Sequence, residues 1–192
     1  MANKKLISIL ALCFCAVAVA VAVAVAEQRC YQTDAESGEL GFRGEAEGNR
    51  FSGQFAAFTV ELCLDEADPA TAVIEVTVDT GSASVGNRQG DEALHGKELF
   101  NIERFPQARW QSGKIEKIED GYLAGGELTL RGVSGSQPVS LSFDLDEDRL
   151  GLSGSAEILR IDFGVGEGEF ADPDFIRNRV DLHFELEMIR RP

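Results

Sequence analysis

Eight consecutive residues alternate without a fault: Val139, Leu141, Phe143 and Leu145 take every second place, with Ser140, Ser142, Asp144 and Asp146 between them. Successive strand side chains leave opposite faces of a sheet, so this is a strand with one buried face and one wet face. The period returns at Phe58, Val60, Leu62 and Leu64, at Ile74, Val76 and Val78, and at Leu150, Leu152, Ala156 and Ile158. It closes the chain at Val180, Leu182, Phe184, Leu186 and Met188. Strands that are apolar on one side only must share that face with a second sheet or close on themselves. An apolar interior walled by antiparallel strands is the expected result.

Between these runs the pattern breaks in informative places. In residues 122–130, Leu128 and Leu130 lie opposite Glu127 and Thr129, and the polar stretch 132–137 before Pro138 is expected to reverse the chain into a hairpin. A phase slip between Phe55 and Phe58 predicts a bulge or bend at Ala56 and Ala57. From Gly86 to Pro106 the strand period disappears, and Asp91, Leu94, Leu99, Phe100 and Phe105 suit a short helix or irregular crossover, with Gly96 opposing the helix. Trp110 follows on a short strand. Residues 27–48 are polar, with Leu40 and Phe42 their clearest strand signal, and residues 164–174 read as a long Gly/Asp loop.

Residues 1–26 have a basic start at Lys4 and Lys5, an uncharged run from Leu6 to Ala26 and small residues at Ala24 and Ala26. That is the pattern of a secretory signal cut before Glu27, which would export the mature chain and leave it no stable membrane insertion. An uncleaved anchor is the alternative, because a run of this length can cross a bilayer core of ~30 Å. Without Lys4 and Lys5 the mature chain carries 16 basic against 33 acidic side chains, a net charge of −17. Phosphate backbones are repelled by such a surface, so nucleic acid is excluded as a partner, as is an anionic membrane.

Only Cys30 and Cys63 remain after the signal, and in an exported chain they are expected to pair, two free thiols being the alternative. Catalytic groups are scarce. His183 falls on the polar face of the last strand and His95 beside Gly96, and both read as surface histidines; no Gly-x-Ser-x-Gly frames a serine. Asp144, Asp146 and Asp148 have the spacing of half a calcium loop, but Arg149 stands where glycine is needed and Ser155 where glutamate is needed, so no metal site is assigned. No enzyme activity is expected. Whether the inward residues fill the interior or leave a cavity is open at the level of periodicity.

The order of motifs adds to this. Phe51-Ser-Gly-Gln-Phe, Ile74-Glu-Val-Thr-Val-Asp, Leu99-Phe-Asn, Phe105-Pro with Trp110, Gly126-Glu-Leu-Thr-Leu-Arg-Gly-Val-Ser and Leu159-Arg-Ile-Asp-Phe-Gly together resemble the YceI-like family across residues 31–188. The chain departs from the family pattern at Ala93, where a histidine is common, and in the Gly-Ser-Gln stretch before Pro138. The resemblance implies an all-β fold, an antiparallel lipocalin-like barrel of about eight strands with the short helix and crossover capping one end. It also implies a periplasmic or secreted protein that holds a polyisoprenoid or similar amphiphile, a quinone included, in an apolar channel without any other cofactor.

On this reading residues 27–192 form one lipid-binding domain. Phe58, Val60, Leu62, Ile74, Val76, Val78, Trp110, Leu128, Leu141, Phe143, Ile158 and Phe184 are expected to line its interior. Leu99, Phe100 and Phe105 would cover one end, and Arg160 with Asp162 would form a structural pair or a contact at the mouth. A homodimer is left open. The rival function is a filled-core stress or interaction protein that acts through its acidic surface.

Overall fold

The computed structural model describes residues 28–146 and 149–191. The signal expected at residues 1–26 and Asp148 of the aspartate run lie outside them. Among the described residues are twelve strands and one α-helix. The strands up to the helix are β1 (Gln28–Asp34), β2 (Gly38–Ala46), β3 (Asn49–Phe55), β4 (Phe58–Asp65), β5 (Asp68–Asp79) and β6 (Ala83–Ser84). After α1 (Arg88–His95) come β7 (Gln107–Ile118), β8 (Gly121–Leu130), β9 (Val133–Ser136), β10 (Val139–Asp146), β11 (Arg149–Leu159) and β12 (Arg179–Arg190).

Several of these are halves of one longer strand. β1 and β2 both lie antiparallel to β12, with Tyr31 opposite Arg190 and Leu40 opposite Phe184. β3 and β4 run back along them, with Gln54 opposite Gly41 and Val60 opposite Thr33. β9 and β10 both pair with β8. Counted this way, the chain is an up-and-down antiparallel barrel of eight strands, closed where β1 and β2 meet β12. Closure joins the first strand to the last and gives the one-sided strands a shared interior.

The bend expected at Ala56 and Ala57 is where β3 passes into β4, and both amide N–H groups are taken up by Ser82. α1 starts where Asn87 Oδ1 accepts the Gly90 N–H at 2.9 Å and stops at Gly96. Three expectations need correction. The reversal before Pro138 occurs at Arg131 and Gly132 alone, because both adopt positive φ (51° and 76°), the geometry of a two-residue hairpin turn, and residues 133–136 are already strand β9. The strand carrying Trp110 is long, twelve residues. The polar N-terminal segment contains a full strand, β1, whose inward residues are Tyr31 and Thr33.

Inside the barrel the inward residues form two levels. At the end formed by the start of β1 and the end of β12, Tyr31, Leu62, Leu64, Ala72, Ile115, Ala124, Leu150 and Met188 are packed to between 0 and 5% exposure. At the other end the residues following β5 and those between β11 and β12 fold over the opening, including short 3₁₀ turns at Arg160–Phe163 and Gly168–Ala171.

Candidate functional site

Above the packed level the interior is hollow. A cavity of about 210 Å³ is walled by Phe58, Val60, Ile74, Val76, Val78, Trp110, Leu128, Leu141, Ile158 and Phe184, with Leu99 and Phe100 over it from the cap. Several of these, such as Val76, Ile158 and Phe184, sit at inward positions yet are only half-buried. Large apolar residues at inward parity lose all exposure in a packed core; here they keep some because the space they face is empty. Wall residues that the alternation signals but the expected set omits include Leu40, Phe42, Val139, Leu152, Leu182 and Leu186. Phe55 and Leu94 join them from the bend and the helix.

Three expected lining residues are elsewhere. Leu62 has the right parity but lies one level too deep, fully buried in the floor. Phe143 is half-buried beside Tyr122, edge-on with ring centres 5.2 Å apart. Phe105 packs against the backbone of Gly132, where an added Cβ would fall 2.6 Å from its ring, and the Arg104 guanidinium sits 5.1 Å from the ring centre. Parity gives the face of a strand and not the depth along it, so the alternation could not separate Leu62 and Phe143 from the wall, and Phe105 lies in the crossover, where no strand period applies.

The expected pair of Arg160 and Asp162 does not form. Asp162 is exposed, while Arg160 is 3% exposed and its guanidinium donates to three main-chain carbonyls: Nε to Arg177 (3.1 Å), Nη1 to Val165 (2.7 Å) and Nη2 to Ile176 (2.5 Å). The two residues share a tight 3₁₀ turn, and neighbours two apart on such a turn point away from each other. Burial lowers the pKa of Arg160 below the ordinary arginine value. A second arginine outside the expected site set acts similarly. Arg131 Nη1 donates to the Gly164 carbonyl (2.5 Å) and to Glu167 (2.8 Å), and Nη2 donates to the Lys97 carbonyl (2.6 Å). It therefore ties the β8–β9 turn to both segments of the cap.

The polar side chains of the wall are Thr80, Gln137 and Arg160. Thr80 Oγ1 donates to the Phe105 carbonyl, and Gln137 Nε2 donates to the Pro138 and Glu157 carbonyls. These donors are spent on main chain, and the surface facing the space is hydrocarbon. The histidines lie outside the wall: His95 Nε2 is 2.9 Å from the Ala83 carbonyl, and His183 is 3.8 Å from Glu39 on the outer face. Cys30 and Cys63 stand opposite each other on β1 and β4 and are joined by a disulfide.

The family description of the YceI-like domain matches residues 31–188, the length of this barrel from β1 to β12. The chain belongs to the YceI-like family. It is 36% identical over 93 residues to a UPF0312 protein of Yersinia pestis (strain Pestoides F), a match covering 48% of this chain and 47% of that one, and equally similar to UPF0312 proteins of Yersinia pseudotuberculosis. The chain thus spans about half the length of the curated relatives it matches. Among solved structures the barrel resembles BcnA of Burkholderia cenocepacia, with a TM-score of 0.76 at 24% identity over 80% of this chain and 98% of that one. It also resembles a polyisoprenoid binding domain from Saccharophagus degradans, with a TM-score of 0.60 at 13% identity over 84% of this chain and 98% of that one. These structural likenesses bear on the fold alone.

Proposed function

We propose that this protein is an exported carrier that holds the hydrocarbon chain of a polyisoprenoid, or of an amphiphile like it, in the hollow level of the barrel. The observation that carries the reading is the wall itself. Its aliphatic and aromatic groups face empty space, and its polar groups are turned to main-chain partners. Such a surface binds by excluding water: at ~0.8 kcal/mol per buried CH₂, ten such groups contribute ~8 kcal/mol before the cost of ordering the chain. Binding rather than catalysis fits a site whose neighbouring histidines face away from it. The printed name of the Saccharophagus degradans domain, a polyisoprenoid binding domain, supports the same class of ligand. Residues 1–26 support export to the periplasm or beyond.

Native mass spectrometry of the mature protein, expressed with its own signal, tests the reading. A discrete added mass of several hundred daltons that leaves on denaturation is expected. An apo mass that neither prenyl alcohols nor isoprenoid quinones shift would return the function to the acidic surface.

A further inference from the structure

The hollow level ends part-way down the barrel. On β12 the wall runs from Val180 to Leu186, and the next inward residue, Met188, is fully buried below it. On β11 the wall descends from Ile158 to Leu152 and stops at Leu150; on β4 it descends from Phe58 to Val60 and stops at Leu62. Met188 stands directly opposite Leu150, and Leu62 opposite Tyr31. All four side chains are 0% exposed. Protein interiors of this kind are close-packed and resist intrusion even by a methylene.

Resting on the carrier reading, we propose that Leu62, Leu150 and Met188 form a stop that sets how many carbons of a chain the barrel admits. The ligand enters by its apolar end, because the wall offers no polar group for a head, and is measured from that end. From Val180 to Leu186 the strand advances ~20 Å at ~3.4 Å per residue, or ~16 Å along the axis at a strand tilt of ~40°. With a C–C bond of ~1.5 Å an extended chain advances ~1.25 Å per carbon, so the space takes roughly a dozen carbons. Carbons beyond that remain outside and add little to affinity.

The test is a series of straight-chain primary alcohols from octanol to eicosanol, titrated calorimetrically into the mature protein and two variants. In the wild type, Kd should fall about fourfold per methylene and then level off near dodecanol. Met188→Ala lowers the stop and should move the levelling point to longer alcohols by about two carbons. Leu186→Phe raises the bottom of the cavity without removing core atoms, and should move it to shorter ones by a similar step. If a folded Leu186→Phe protein levels off at the wild-type length, the stop is wrong while the carrier reading stands. If the wild type binds no alcohol of the series while prenyl alcohols still shift its native mass, the stop is wrong and the carrier reading stands; if neither binds, the carrier reading falls and the stop with it.

Discussion

The indole Nε1 of Trp110 donates a hydrogen bond of 2.9 Å to the main-chain carbonyl of Gln137. Trp110 is on β7 and Gln137 lies between β9 and β10, and the indole reaches across β8 because Gly126 lies between them, its amide carbonyl also accepting the Gln137 N–H at 2.8 Å. This contact fixes the break between β9 and β10, where the wall would otherwise open. A Cβ on Gly126 would fall 2.5 Å from the indole.

Gly126→Ala is therefore expected to destabilise the protein by ~1–3 kcal/mol through overpacking. Trp110→Phe, which keeps an apolar ring in the wall but removes the donor, should cost ~1 kcal/mol for the lost bond in addition to the lost contact area. Urea unfolding of both variants measures this. An unchanged midpoint for Gly126→Ala would mean that the ring has room to move, contrary to the close approach described.

The cap should depend on arginine chemistry rather than on positive charge. Arg160 bridges carbonyls at residues 165, 176 and 177, which a single ammonium on a flexible stem cannot hold together. Arg160→Lys should cost ~2–4 kcal/mol, since buried carbonyls lose donors and a cation stays buried. Hydrogen exchange should quicken first in residues 160–178. Exchange that rises evenly along the chain would show that the bridge serves the whole barrel and not the cap.

The pH response should come from the closed end. The Tyr31 hydroxyl donates to Glu66, whose other oxygen meets Arg29 at 2.7 Å, and these contacts hold the Glu66 carboxyl below its ordinary value near 4.5, the Tyr31 bond first among them. A carboxyl whose folded pKa is depressed stabilises the fold fully above its unfolded value, and that stability is lost as pH falls through the folded value. Acid should thus weaken the wild type more steeply below about pH 4.5 than it weakens Glu66→Gln, a difference read from unfolding midpoints at pH 7 and pH 4. Parallel pH curves for the two proteins would remove Glu66 from the account.

The sequence shows side-chain parity but not depth. Val60 and Leu62 have the same parity on the same strand, yet Val60 faces the cavity and Leu62 lies in the floor. What separates them is where the packed level begins, which depends on residues from strands far apart in the chain, Tyr31 opposite Leu62 and Met188 opposite Leu150. Strand β1 gives little sequence signal because its one large inward residue, Tyr31, is flanked by Arg29, Gln32 and Asp34. Arg160 looked like half of an ion pair because Asp162 is close in sequence, whereas its real partners are carbonyls that a composition-based reading does not see. Gln137 was hidden for the same reason, as a polar residue in an apparent turn whose side chain and main chain both secure the wall.

The disulfide between Cys30 and Cys63 should govern stability without governing binding. It closes a loop with a sequence separation of 33, and in the chain-entropy model such a link stabilises the fold by ~3–4 kcal/mol. The strand it secures, β1, is polar and pairs with β12 at two residues, Tyr31 and Gln32, so its place in the barrel rests mainly on β4, to which the covalent link holds it. Cys63 points outward between Leu62 and Leu64, away from the cavity. The double variant Cys30→Ser, Cys63→Ser should therefore unfold at lower urea by the amount that reduction costs the wild type, and should show no further response to reductant. Its Kd for a bound alcohol should stay within about twofold of the wild type, because Phe58, Val60 and Ile74 keep their places on strands that β5 and β7 hold independently. A large loss of affinity in the folded double variant would show that β1, though it contributes no wall residue, sets the shape of the hollow level above it.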